Sequence, residues 1–238
     1  VNAHKVRLGE IPSVNKSSKQ SDLKDQLKDY YFIEESDQDK IVEKILLLNT
    51  ERIPQRFDLD PIKEIQVLTP MHRGVTGASQ LNRNLQEKIN PDAKGIEHRE
   101  QWFRVGDKIM QQQNDYEKQV FNGDLGRVVD CDQDSRELYV KFDQSNIHYK
   151  SNELDQLTLA YAITVHKSQG SEYSAVIMPI TTHHYMMLQR NLLYTAITRG
   201  KQLVILIGTS TALKIAVDNQ GNLNRYTGLL NQFSEWRK

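Results

Sequence analysis

The segment Leu203-Val-Ile-Leu-Ile207 has no polar residue at any position. A strand with one wet face alternates apolar and polar side chains, so a strand that is apolar throughout needs cover on both faces. Helices packed on either side of a parallel sheet supply that cover. Ile65-Gln-Val-Leu-Thr69 and Ala175-Val-Ile-Met-Pro179 are nearly as apolar, and the first stops at Pro70, which cannot donate to a ladder. Between these runs the spacing turns helical. Ile41, Ile45 and Leu48 share a face that Leu46 and Leu47 widen, Leu81, Leu85 and Ile89 recur at steps of four, and Leu188, Leu192 and Thr195 line a predicted helix over 187–198. Tyr30-Tyr-Phe-Ile33 reads as another strand, and Leu157-Thr-Leu-Ala-Tyr161 as one more of the same layer. Asp37 is placed to cap the helix after the first strand, and Thr209 or Ser210 the helix running to about Asp218. Leu229, Leu230, Phe233 and Trp236 predict a last helix.

Residues 99–157 change character. Val105–Met110, Gly126–Asp130, Leu138–Phe142 and Ile147–Tyr149 are short strand runs. They are punctuated by Asn122-Gly123 and Asp132-Gln-Asp-Ser135, both turn signals. Short strands at this density predict a small β-barrel interrupting the α/β layer. The expected organisation is a lead-in and linker over 1–29, an α/β domain built from 30–98 and 158–238, and a barrel over 99–157. The N-terminus Val1-Asn-Ala-His-Lys5 has no start methionine and no signal-peptide layout, and it reads like the interior of a longer polypeptide.

Lys+Arg and Asp+Glu both total 31, so the net charge is zero and nucleic-acid affinity would have to come from a local groove. A single cysteine, Cys131, excludes a disulfide framework and a cysteine-based zinc site. No apolar run has membrane-spanning length. These readings predict a reduced, cytoplasmic protein that does not engage membranes.

Chemistry concentrates in three strings. Thr164-Val-His-Lys-Ser-Gln-Gly-Ser-Glu172 follows a strand with hydroxyls, ring nitrogens and backbone N–H groups of the kind that hold phosphate oxygens. In it Gly170 permits positive φ or close backbone approach, and Glu172 can accept from a ribose hydroxyl. The alternative is a polar loop that caps a helix. Leu193-Tyr-Thr-Ala-Ile-Thr-Arg199 ends a helix, with Gly200 as the expected residue after the cap. Arg199 then either binds its own helix's carbonyls or reads phosphate as a planar, permanently charged finger. Gln66-Val-Leu-Thr-Pro-Met-His-Arg73-Gly74 places Arg73 just past the end of a strand, where open α/β sheets bind ligands. It is either a solvated turn arginine or a second arginine converging with Arg199 on one polyphosphate.

These strings resemble motifs V, VI and IV, respectively, of superfamily 1 DNA helicases of the RecD/TraA type. Phe103-Arg-Val-Gly-Asp-Lys-Ile-Met110 with Val120-Phe-Asn-Gly-Asp-Leu-Gly126 resembles the SH3-like barrel of that family, and Ala3-His4 through Gly9-Glu-Ile-Pro12 resembles the lead-in from its first motor domain. The resemblance covers nearly the whole chain. It implies a RecA-like parallel sheet of the P-loop NTPase kind with helices on both faces, interrupted by an SH3-like β-barrel. It implies that Arg73 and Arg199 reach the γ-phosphate of ATP, and that Gly170, Glu172 and Gln169 lie on the nucleotide side. Thr69, Thr164 and His166 would face single-stranded DNA, and Asn114 and Tyr116 of the barrel would contact the strand as well. Movement would run 5′ to 3′. Expected partners are single-stranded DNA, the N-terminal motor domain of the same polypeptide, and recombination or repair subunits.

One expected element is missing. No Gly-x-x-x-x-Gly-Lys-Ser/Thr string occurs, and the one Gly-Lys pair, Gly200-Lys201, precedes Gln202. ATP and Mg2+ would then be cofactors of a full-length protein whose first domain supplies the cradle, the metal site and the water-activating base. This chain alone would bind neither tightly and hydrolyse nothing. A stand-alone single-strand-binding module is the alternative, and a purely structural interaction domain a third reading.

Overall fold

The computed structural model describes residues 2–12, 29–143 and 145–221. The helix expected around Leu229 lies outside them. In chain order the elements are α1 (Asn2–Leu8), β1 (Tyr30–Glu34), α2 (Gln38–Leu47), α3 (Ile53–Phe57), β2 (Ile65–Thr69), α4 (Ala78–Ile89), β3 (Gly95–His98), β4 (Gln101–Arg104), β5 (Lys108–Gln111), β6 (Leu125–Asp132), β7 (Glu137–Phe142), β8 (Ser145–Tyr149), β9 (Leu157–Leu159), β10 (Ala162–Thr164), β11 (Tyr173–Ile180), α5 (Arg190–Ile197), β12 (Gly200–Gly208) and α6 (Ser210–Asp218).

Five strands form one sheet in the order β1-β12-β11-β2-β10, with every pairing parallel. Its side chains alternate between two cores. Leu203, Ile205 and Ile207 of β12, with Ala175 and Ile177 of β11 and Ile65 and Val67 of β2, pack against Ile41 and Ile45 of α2 and Leu81 and Leu85 of α4. Val204 and Leu206, with Val176, Met178 and Ile180, face Val6 of α1, Leu192 and Leu193 of α5 and Leu213 of α6. The double cover required by the apolar run at 203–207 is therefore present. Burying each such side chain stabilises the fold by roughly 1.5–3 kcal/mol.

The caps follow chemistry. The Asp37 carboxylate accepts from the N–H groups of Asp39 and Lys40, and the Thr209 hydroxyl accepts from Ala212 N–H. Helix α5 starts three residues later than its apolar spacing predicts, because a 3-10 turn occupies Thr182–Met187 and Gln189 is still extended. Gly200 does not take the left-handed conformation of a helix terminator. It opens β12 opposite Tyr173, and a Cβ there would meet the Val204 side chain at 2.5 Å.

The second sheet is antiparallel and runs β8-β7-β6-β5-β9. Its core, which includes Ile109, Val128, Leu138, Val140, Phe142 and Tyr149, is continuous with that of the α2–α4 side of the parallel sheet. Leu157–Tyr161, expected as one strand of the α/β layer, is two things. Leu157–Leu159 pairs with β5 in the antiparallel sheet, and the chain enters the parallel sheet at Ala162. Side chains hold the break open. Gln66 donates to the Ala160 and Tyr161 carbonyls, both at 3.0 Å. Asn82 donates to the Leu159 and Ala162 carbonyls and accepts from Ala162 N–H. A second clamp centres on the buried Asp107 carboxylate, which accepts from Gln86, Asn90, the Arg104 N–H and the Tyr161 hydroxyl. This clamp also explains why the predicted strand from Val105 begins only at Lys108: Gly106 turns at φ +99° and Asp107 points inward. Among the described residues, no helix is long and apolar enough to cross a membrane.

Candidate nucleotide and strand interface

The string 164–172 is a crossover. β10 ends at Thr164, level with Thr69 at the carboxyl end of β2. β11 passes Ile65, the first residue of β2, at Ala175. The chain therefore travels the length of β2, about 13 Å along the strands, from the carboxyl edge of the sheet to its amino edge. A 3-10 turn at Val165–Ser168 carries the first half, its buried Val165 packed into the α5 side of the core. Ser168 is buried and donates to the Val165 carbonyl, so it holds the turn and is not available to a ligand.

At the amino edge the chain arrives with Gly170 at φ +86°, where a Cβ would meet nothing within 4 Å. The glycine is needed for its backbone angle, and the space beside it is open to a ligand. Glu172 is exposed and paired with Lys201 at 3.3 Å. Arg199, at the end of α5, folds back: Nε donates to the Thr195 carbonyl at 3.2 Å, Nη1 to the Ser171 carbonyl at 3.1 Å and Nη2 to the Thr198 hydroxyl at 3.3 Å. Tyr173 N–H donates to the Arg199 carbonyl at 2.8 Å. Arg199, Glu172 and Gly170 are thus one cluster, with the guanidinium held by neutral acceptors and no carboxylate. A ligand anion can replace those acceptors without first breaking an ion pair. Gln169 and His166 line a small cavity of about 80 Å³ with Asn191 and Thr195.

Arg73 is elsewhere. It follows the carboxyl end of β2 and is exposed in a cleft with Asp39, Glu43 and Arg83. Among the described residues nothing binds its guanidinium. It lies at the opposite end of the strands from Arg199, so the expected convergence of two arginines on one polyphosphate does not occur within this chain. Thr69 also departs from expectation. It is fully buried and donates to the Thr76 carbonyl at 2.7 Å, which fixes the turn carrying Arg73 and leaves no hydroxyl for a nucleic-acid strand.

The carboxyl edge nonetheless has a built surface. Thr164, His72, Gln112 and Lys167 line one cavity. Lys167 reaches across to the loop between β5 and β6, donating to Asn122 at 2.8 Å. The same loop holds Asn114, whose carbonyl oxygen accepts from Asn122 N–H and whose amide donates to the Tyr116 hydroxyl. Tyr116 is 76% exposed and packs edge to face with Phe121, itself 45% exposed. Two solvent-facing aromatic rings beside a lysine offer the flat apolar faces and the positive charge that single-strand-binding surfaces combine. Phe121 and Lys167 were not among the expected strand contacts. A basic residue inside the motif string and an aromatic beside the Asn-Gly turn were the available signals. Among the described residues no group of three His, Cys, Asp or Glu side chains is placed to hold a metal ion.

An all-parallel, doubly covered sheet whose 164–172 crossover and 193–199 helix end meet at one edge, joined to an antiparallel β-domain, is a RecA-like α/β architecture interrupted by a small β-domain. Residues 81–142 match the family model of the ATP-dependent RecD-like DNA helicase SH3 domain, and residues 159–207 that of the UvrD-like helicase C-terminal domain. The chain is 40% identical over 166 residues to the ATP-dependent RecD2 DNA helicase of Deinococcus radiodurans, covering 70% of this chain and 23% of that protein. It is 31% identical over 175 residues to the RecBCD enzyme subunit RecD of Mycolicibacterium smegmatis, covering 74% and 30%. It thus spans between a fifth and a third of these relatives' length. The fold is also similar to that of Pif1 helicase from Bacteroides, solved in complex with ADP-AlF3 and ssDNA, at TM-score 0.50 and 16% identity, covering 99% of this chain and 52% of that one. In family terms the chain is a RecD-like superfamily 1 helicase C-terminal region with its SH3 domain.

Proposed function

We propose that this chain is the part of an ATP-dependent DNA helicase that couples a single-strand track at the carboxyl edge of its sheet to a shared ATP site at the amino edge. The observation that carries this reading is the course of the 164–172 crossover, whose two ends lie at the two edges. A shift of the crossover at one edge is felt at the other through Val165 and Ser168, which are packed and cannot move independently. The division into a motor domain over 30–98 and 158–238 with a barrel over 99–157 belongs to the same proposal. In this reading the chain returns to the motor domain nearer Ala160, a choice supported by the pairing of Leu157–Leu159 with β5.

At the amino edge, Arg199 leaves its backbone acceptors for the γ-phosphate, Glu172 takes a ribose hydroxyl, and Gly170 and Gln169 line the approach. Placing a permanent cation where charge develops on the transferring phosphoryl group is what an arginine finger supplies. ATP brings the phosphoanhydride, and Mg2+ its charge neutralisation. Both would be held chiefly by a Walker-bearing domain closing against this edge. At the carboxyl edge, Thr164, His166, Lys167 and Asn114 contact the strand and Tyr116 with Phe121 stacks its bases. Arg73 takes a strand phosphate in this reading, which its exposure at the carboxyl edge supports.

Fluorescence anisotropy of a labelled single-stranded oligonucleotide across a potassium chloride series tests the track. Lys167→Ala removes one phosphate contact and is expected to flatten the log–log salt slope by about 0.7. Tyr116→Ala lowers affinity by about 1–3 kcal/mol with the slope unchanged. Identical curves for wild type and both variants would place the strand elsewhere.

A further inference from the structure

The antiparallel domain carries a second feature that the strand track and the nucleotide edge leave unused. Lys108 on β5 lies directly opposite Arg127 on β6, and Arg127 directly opposite Lys141 on β7. Directly opposed residues of neighbouring antiparallel strands share a face, with Cβ atoms roughly 4.5–5.5 Å apart, and like charges so placed repel. Three cations therefore stand in one row across three strands. The row lines a cleft of about 710 Å³, with Lys63 from the turn before β2 on the facing wall.

The carboxylates present do not neutralise this row. Asp143 also lines the cleft, and the field of Asp60 acts on Lys108, yet among the described residues none of the four cations is within ion-pair distance of a carboxylate. Arg127 has a carbonyl, donating from Nε to Gly106 O at 3.2 Å. Lys108 has less: its Nζ is buried without a hydrogen-bond partner, 5.6 Å from the centre of the Tyr173 ring. That burial pushes its ammonium down to about 7. An unpartnered buried ammonium and a run of facing like charges both oppose folding. An anion in the cleft relieves the repulsion along the row and offsets the buried charge of Lys108 through its field.

We infer that this cleft, between the turn before β2 and strands β5 to β7, binds consecutive phosphate groups of a linear polyanion through Lys63, Arg127 and Lys141, with the buried Lys108 ammonium adding its field from beneath the cleft floor. A row of cations fits a phosphate chain better than it fits a single compact anion, because the charges are spread across three strands and do not converge on one point. The shared chemistry is a run of phosphates, whether of a nucleic-acid backbone or of a free polyphosphate. The proposal does not depend on ATP or on a partner domain, so it stands apart from the motor reading.

The test uses the 238-residue chain and the double variant Arg127→Gln/Lys141→Gln. Both side chains are exposed, and an unchanged circular dichroism spectrum with a melting temperature no lower than that of the wild type in low-phosphate buffer will establish the fold. One arm measures anisotropy of a labelled thirty-nucleotide single strand over a salt series; the other measures the thermal shift caused by inorganic tripolyphosphate. If the cleft takes a nucleic-acid backbone, the double variant loses about tenfold in strand affinity, with a salt slope flatter by about 1.4. If it takes free polyphosphate, only the tripolyphosphate shift disappears. Unchanged behaviour in both arms, or no response of the wild type in either, overturns the site. A Tyr116→Ala control separates the two surfaces: weakened strand binding there, with the double variant unaffected in both arms, supports the motor reading and sinks this one.

Discussion

The buried His184 shows how one side chain sets a pH limit on the whole fold. Its Nε2 lies 3.0 Å from the Thr76 hydroxyl, Nδ1 has no partner, and burial pushes its pKa down to about 4. The folded state therefore prefers neutral imidazole, while the unfolded state protonates near pH 6.5. The stabilisation is fully present above that value and is lost as pH falls from 6.5 toward 4, by about 3 kcal/mol in all. Urea melts at pH 7, 5 and 4 should show this loss, and His184→Gln should remove most of it. A variant that keeps the full pH dependence places the effect on another group. Thr69 donates to the carbonyl of the same Thr76. Thr69→Val leaves the Thr76 carbonyl without its donor and should cost about 1–3 kcal/mol of stability. A large loss of strand affinity at unchanged stability would restore its expected role as a strand contact.

At the scale of elements, the join between the two sheets rests on amides. Asn82 of α4 makes three hydrogen bonds to the β9–β10 break, so Asn82→Ala leaves buried backbone groups unpaired and should cost about 3 kcal/mol or more in denaturant unfolding. A cost under about 1 kcal/mol would mean that the break is held by packing alone. This join also marks where the sequence stops being readable. The apolar run at 203–207 demanded a doubly covered sheet, and the steps of four at Leu81, Leu85 and Ile89 placed the helix that covers part of it. Nothing in Leu157-Thr-Leu-Ala-Tyr161 distinguishes one strand from two, because both sheets want the same apolar residues there. The division is made by Gln66 and Asn82, distant polar residues whose target is backbone. The separation of Arg73 from Arg199 was hidden for a related reason. Periodicity shows that Arg73 follows a strand, but only the strand order shows that Arg199 precedes one in the same parallel sheet, at the other edge. The two motif strings were legible because their polar residues interrupt apolar runs; the cation row at 108, 127 and 141 was not, because it exists only once the strands are in register.

For the whole molecule, the proposed function puts chemistry and grip at opposite edges of one sheet. The amino-edge cluster of Arg199, Glu172 and Gly170 contains a cation, a carboxylate and an open backbone turn, with no glycine-rich phosphate cradle in the sequence. In the proposed function it becomes an ATP site only when a second domain closes on it, while the carboxyl edge holds a strand without that domain. The direct measurement is DNA-stimulated ATP hydrolysis by this chain joined to a Walker-bearing RecD-like motor domain, comparing wild type with Arg199→Ala. Turnover is expected to fall about 10³-fold or more with single-strand affinity preserved. DNA-stimulated hydrolysis that survives Arg199→Ala intact would contradict the proposed function.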